Sequence, residues 1–530
     1  MRPISPETQA LLDRLHRSFR GFAREPADEI LRQIADTGDA AVLPRLVPCL
    51  VSPEPGVFAA GARAVHRLLG QLAPRDYVWL DENTRHVSYG DVALGTRRII
   101  VSDLQRFAAL QDIAPSVLGL ASCNQSGYVR EAAIGFLART ESGAALPFLL
   151  LRVNDWVDQV SAVALRAVEA ECRQSRSADF LRFLPLVSRL EWTERGQSPD
   201  LVRRVERLLQ APENASLLAE GCLSPDHAIR RACFRIRLDA ASDPWDVLRD
   251  ALRSSDPFVR LWAARSASTL PPTADLHDVL VRMTRDRFGS VRSTALAAFA
   301  GLYPEEARKP MGSALFDSSP SIRAESRRWL AKEGPIDFAA VYRDALEKGK
   351  TSLPPAISGL GETGRAEDAP KLQPFLAHPR ARVRRAAVRV LGKLTGTEYL
   401  ADFLQTLGDE APSVSTEART VLAGRAGFLD PRALWDRFER EERPHVRKNL
   451  LLLLGHLGKW DRLPYLLRAS RDRDPALADL AAEKISKWQG DFNRSFIAPT
   501  GDQMRRIEVA LGEVAPRFRE LDFYFKVFQR

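Results

Sequence analysis

Two rows of arginine carry most of the chemistry in this 530-residue sequence. In the first row arginine directly follows a β-branched residue, at Arg130, Arg230, Arg260, Arg292, Arg323, Arg384 and Arg447. In the second it stands six residues after such a position, at Arg63, Arg166, Arg235, Arg265, Arg328 and Arg389, joined by Arg231 and Arg385 two residues after it. A guanidinium presents a rigid fork of N–H donors that suits carboxylate and phosphate. Both rows are therefore fitted to holding anions rather than to making or breaking bonds.

The other constellations are thinner. Gly359-Leu-Gly361-Glu-Thr-Gly364 has the glycine spacing of dinucleotide-binding turns. That chemistry needs a preceding strand, and Leu353-Pro354-Pro355-Ala356-Ile357 is poor strand material. Similar Leu-Gly phrases recur at Leu391-Gly392 and Leu454-Gly455, so the glycines read as packing residues. Trp156 stands between Asp155 and Asp158, an aromatic residue with carboxylates at one turn. Cys49, Cys123, Cys172, Cys222 and Cys233 form no CxxC pair and read as reduced core residues. The sequence has no HExxH, no GxxxxGK[ST] and no nucleophile elbow, and its eight histidines are scattered. The expectation is a non-catalytic protein with no cofactor and no metal.

The elements that must position these arginines repeat. Asp226-His-Ala-Ile229-Arg230, Asp256-Pro-Phe-Val259-Arg260, Arg287-Phe-Gly-Ser-Val291-Arg292 and Ser319-Pro-Ser-Ile322-Arg323 each give a short turn, a β-branched residue, an arginine and then small residues, at intervals of 30, 32 and 31. Taking the β-branched residue as an origin, the positions three, four, seven and eight later share one side of a helix and are mostly apolar. The second arginine row falls on the opposite side. Preceding helices open on proline, as in Leu146-Pro147 and Leu463-Pro464. A fixed period near 31 marks a solenoid of helix pairs, in which no unit buries its own apolar face.

The same phrase extends to Val57, Val129, Val160, Val202, a weak unit at Ala356-Ile357, Val383, Val414, Val446 and Leu477. The predicted organisation is a pair of capping helices over residues 1–50 and an array over 51–489. The array is interrupted by an irregular loop at 74–102, whose aromatic, turn-rich part is 76–91. A C-terminal capping helix and aromatic tail follow over 490–530. Thr500-Gly-Asp-Gln503 opens that helix as a capping box, running to about Gly512. Whether the 76–91 loop and the tail cap the array or bind a partner is open.

The D-P-x-V-R-x-x-A-A-x-x-L phrasing resembles HEAT repeats, specifically the short bacterial type also found in phycobilin-lyase-like proteins, over roughly residues 40 to 490. The resemblance implies an all-α fold, a right-handed α-solenoid (HEAT/armadillo-like superhelix) of about twelve helix pairs. It also implies that the first-row arginines pair with turn aspartates of adjacent repeats, for which Asp226, Asp256, Asp286 and Asp317 are available. Second helices of such arrays line the inner curve, which would make Arg63, Arg166, Arg231, Arg235, Arg265, Arg328, Arg385 and Arg389 a basic strip inside it.

Composition agrees with a folded, soluble chain: 45% apolar and 27% charged residues, with net charge +9. No lysine precedes Lys309, a bias that a GC-rich genome also produces. The start has no apolar signal core, and Leu450 to Leu454 is too short to span a bilayer. The functional expectation is a cytoplasmic HEAT-repeat scaffold or adaptor that binds a protein partner, acidic in character, through its concave surface, with no membrane partner. A nucleic-acid-binding solenoid using the same arginines is the alternative, and a HEAT-like DNA glycosylase, suggested by Trp156 and its aspartates, or a bilin lyase, implied by the resemblance, is a third. The partner's identity and the oligomeric state are open.

Overall fold

A computed structural model describes residues 3–19, 25–86, 98–193, 198–241, 243–349, 352–494 and 497–514, together with 518, 521 and 524. Among these residues there are 32 α-helices, joined by short 3₁₀ turns, and no strand. The fold is an all-α solenoid of helix pairs. The chain divides into two compact units, Met1–Ala263 and Ala264–Arg530.

The origin residues of the repeat organise both units. In the first, Val57, Val129, Val160, Val202, Ile229 and Val259 are all at most 8% exposed. In the second, Val291, Ile322, Ile357, Val383, Val414, Val446 and Leu477 are at most 4% exposed. Each lies near the start of a second helix such as Asp158–Glu171 or Ala381–Leu394, and each is followed by buried small residues, as with Ala164 and Ala387. A small residue at such a position lets a neighbouring helix approach closely.

Glycine takes the same idea further. Gly359 and Gly361 lie in the middle of the helix Leu353–Thr363, where a Cβ on Gly359 would enter the Tyr342 ring and one on Gly361 would come within 2.7 Å of Val390. The dinucleotide-like spacing is thus a packing feature inside a helix. Proline at the first turn and an aspartate cap recur at helix starts: Asp474 accepts from the Ala476 N–H and Asp430 from the Arg432 N–H, each with proline next in the chain.

One local expectation is corrected. Residues Asp76–His86, read as part of an irregular loop, form an α-helix. Only Tyr77 and Leu80 of this helix are deeply buried, a narrow apolar stripe that leaves little period in the sequence. Asp81 and Arg85, one turn apart, hold the helix from the side. Residues 87–97 of that stretch lie outside the described residues.

At the C-terminus the helix Gly501–Val514 opens on a reciprocal box, with the Thr500 N–H donating to Gln503 Oε1 at 2.9 Å and the Gln503 N–H to Thr500 Oγ1 at 3.2 Å. Phe518 and Leu521 join the buried core of the second unit, and Tyr524 packs on Phe492. Most of the rest of the tail lies outside the described residues.

Candidate functional site

The first arginine row builds a ladder. Arg130 donates through Nε and Nη2 to both oxygens of Asp155 at 2.8 Å, and Nη1 reaches back to the carbonyls of Asn124 and Gln125. Arg292 with Asp317 and Arg384 with Asp409 repeat the bidentate contact at 2.7 Å. Arg447 and Asp472 repeat it at 3.2 and 2.7 Å. Every one of these pairs is separated by 25 residues. Each aspartate also accepts the N–H two residues on, at Val157, Ser319, Ala411 and Asp474. A rung therefore ties the start of one second helix to the turn that opens the next.

Protonation follows from these contacts. Burial pushes the Asp317 carboxyl upward, and the hydrogen bonds from Arg292 and the Ser319 N–H overcome it, leaving the group below the ordinary carboxylate range. Asp155 and Asp409 are lowered in the same way, against burial, by Arg130 and Arg384.

Exceptions to the ladder have readable causes. Asp256 stands three residues before Val259, where Asp155, Asp317, Asp409 and Asp472 stand five before their origins, and so lies 26 residues beyond Arg230 although the interval from Ile229 to Val259 is only 30. Arg231, at 25, takes the bidentate place at 2.8 and 3.2 Å, and Arg230 keeps one contact at 3.2 Å. Position 348, 25 beyond Arg323, is a lysine, and Arg323 turns to Glu362 instead. Asp226, expected in the ladder, caps its helix through the Ala228 N–H and is joined to no arginine among the described residues.

The eight arginines assigned to the inner strip separate into two groups. Arg231 belongs to the ladder, and its guanidinium also lies 4.3 Å from the Phe258 ring. Arg235 pairs with Glu191 at 3.3 Å and Glu206 at 2.7 Å, so two carboxylates share one cation. Glu206 is raised by burial, and Glu191 adds to that rise against Arg235. Arg385 and Arg389 come together on Glu417, at 3.1 and 2.9 Å. Arg63, Arg166, Arg265 and Arg328 are exposed and make no ion pair with a described residue. Half of the strip is thus compensated within the fold, and half remains available.

Two cavities open in the first unit. One, of about 550 Å³, is bordered by Trp156, Trp192, Glu82, Arg85 and Arg189. Beneath it lies a buried network: Asp155 joins Arg130 and Arg152, Arg152 joins Asp81, and Asp81 joins Arg85 at 2.9 Å. Arg85 and Arg130 lie 4.2 and 4.3 Å from the Trp156 ring centre. This arrangement corrects the Trp156 constellation. The Asp155 side chain is 0% exposed and fully engaged, so it offers no free carboxylate for chemistry, and Asp158 is exposed at a helix start.

The second cavity, of about 630 Å³, contains Arg63 and brings together residues that no sequence motif connects: His66, Tyr77, Phe148, Arg182 and Phe183. Phe183 lies in a turn and the others come from four separate helices, so spacing along the chain gave no signal. Tyr77 lies in the helix first read as loop.

Among the described residues no group of three or more His, Cys, Asp and Glu could hold a metal ion, and no helix is long and apolar enough to cross a membrane. The five cysteines are free, and burial pushes the Cys49 thiol up to about 12.

No protein-family model matches the chain, and no curated protein matches it. Among solved structures the chain is similar to Escherichia coli YibA, at 16% identity and TM-score 0.25, over 56% of this chain and 99% of the other. It is similar also to importin beta in a polyethylene glycol condition, at 12% identity and TM-score 0.35, over 99% of this chain and 83% of the other. Importin beta in an ammonium sulfate condition gives 12% identity and TM-score 0.36, over 98% and 84%.

Proposed function

We propose that the protein is a non-catalytic HEAT-type scaffold that holds an acidic protein partner on the second-helix face of its repeats. The observation that carries this reading is the exposure of Arg63, Arg166, Arg265 and Arg328 without a carboxylate partner among the described residues. Their repeat neighbours Arg235, Arg385 and Arg389 are compensated. An uncompensated guanidinium on a helix face draws in carboxylates and sets the orientation of their approach.

The test is fluorescence anisotropy with an acidic peptide and, separately, a single-stranded oligonucleotide. A triple variant, Arg166→Glu, Arg265→Glu and Arg328→Glu, should weaken the peptide by roughly tenfold or more while leaving thermal melting unchanged. Peptide affinity unaltered by the triple reversal would discard the reading. Oligonucleotide binding that falls by orders of magnitude between about 50 and 200 mM salt, with no peptide binding, would replace it with the nucleic-acid alternative.

A further inference from the structure

The cavity around Tyr77 has a composition that the scaffold reading uses only at Arg63. Its floor is aromatic: Tyr77 meets Phe148 edge-on at 5.4 Å and Phe183 at 5.7 Å, so the three rings form one block. At about 630 Å³ it falls in the size range of small-molecule sites, which run from about 300 to 1,000 Å³. Two glycines let its wall residues pack closely. Gly119 leaves room for the Phe148 ring, and Gly143 leaves room for the Asp179 carboxylate at the wall.

The charges on its walls do not balance. Arg67 is held by Asp36, and Asp179 is held by Arg176 at 3.3 Å. Arg63 and Arg182 border the same space, are exposed, and have no carboxylate among the described residues. The Tyr77 hydroxyl is a further unused donor: the residue is 5% exposed, lines the cavity and makes no hydrogen bond to a described residue. Burial raises the Tyr77 phenol, and Arg182 is near enough to offset part of that rise.

We infer that this cavity is a binding site for an amphipathic organic anion, its carboxylate or phosphate held by Arg63 and Arg182 and its apolar body laid on the Tyr77, Phe148 and Phe183 rings. The fork of a guanidinium explains selection for the anionic end, and the ring block explains selection for a flat or aliphatic body. The inference shares Arg63 with the scaffold reading and nothing else, and the scaffold test variant leaves both Arg63 and Arg182 in place, so the two fail separately.

Calorimetric titration of the full chain with 2-naphthoate, 2-naphthyl phosphate and the uncharged 2-naphthalenemethanol decides it. Either or both anions should bind roughly tenfold or more tightly than the alcohol, and the one that binds more tightly identifies the headgroup. Arg63→Gln and Arg182→Gln should each weaken the anion by roughly tenfold, with melting unchanged because both side chains are exposed. Ala144→Trp, at the exposed rim, should abolish binding by filling the opening, and Arg166→Gln should leave it as it is. Equal affinity for acid and alcohol, no binding of either anion, or full affinity in Arg182→Gln would overturn the inference.

Discussion

The rung Arg130–Asp155 in the first unit and the rung Arg384–Asp409 in the second are spelled alike and sit in different surroundings. In the first, both side chains are 0% exposed and a second arginine, Arg152, meets the same carboxylate. In the second, they are 16% and 10% exposed, and no second arginine side chain bonds that carboxylate among the described residues. The repeat determines that the bond forms; the neighbours determine how much depends on it. A charge pair out of reach of water is strongly interdependent, because losing one member leaves the other without solvation.

Substitutions can break that comparison. Asp155→Ala leaves Arg130 buried without its carboxylate and Arg152 with Asp81 alone, and should cost about 3–5 kcal/mol in urea unfolding. A loss no larger than that of Asp409→Ala would erase the distinction between the rungs. Gly119→Ala should cost about 1–3 kcal/mol, since its Cβ would enter the Phe148 ring. Unfolding in denaturant would register this, and a neutral result would show that the ring can shift.

Asp409→Ala should cost about 1–3 kcal/mol, by leaving the partly buried Arg384 donors without their acceptor. The same rungs give a pH signature. Because folded Asp155, Asp317 and Asp409 titrate below their unfolded value near 3.9, their contribution is complete above about pH 4 and lost as pH falls through the folded values. Denaturation midpoints measured down the acid range should fall there, and less steeply in the Asp409→Ala variant. An identical acid profile in wild type and variant would count against the assignment. The smallest effect belongs to Arg389→Ala, whose exposed pair with Glu417 should contribute about 0.2–1 kcal/mol; a loss comparable to Asp155→Ala would mean that exposure does not rank these pairs.

Much of the fold was legible in the sequence because the origin residues are buried wherever the phrase occurs, even in weak units such as the one at Ile357. The ladder was legible in part. Arg292 found Asp317, but Arg231 replaced Arg230 because Asp256 stands two positions later in its turn than the other rung aspartates do. The strip was harder to read. Helical phase places Arg385 and Arg389 on the side of the helix away from its buried stripe, yet says nothing of Glu417, which arrives from the next repeat to engage both. The cavity was not legible at all, since Arg63, Tyr77, Phe148 and Arg182 meet only after distant helices stack.

The constant 25-residue chord of the ladder has a consequence for how look-alike helices find the right neighbour. Four rungs span repeats of 31 residues, and in the repeat of 30 a different arginine supplies the same chord. A helix docked one turn out of phase would meet residues such as Ser313, Gln405 or Ala476 in place of the carboxylate and leave the cation without its acceptor. The chord thus works as a vernier, admitting the correct splice between near-identical modules and rejecting the slipped ones.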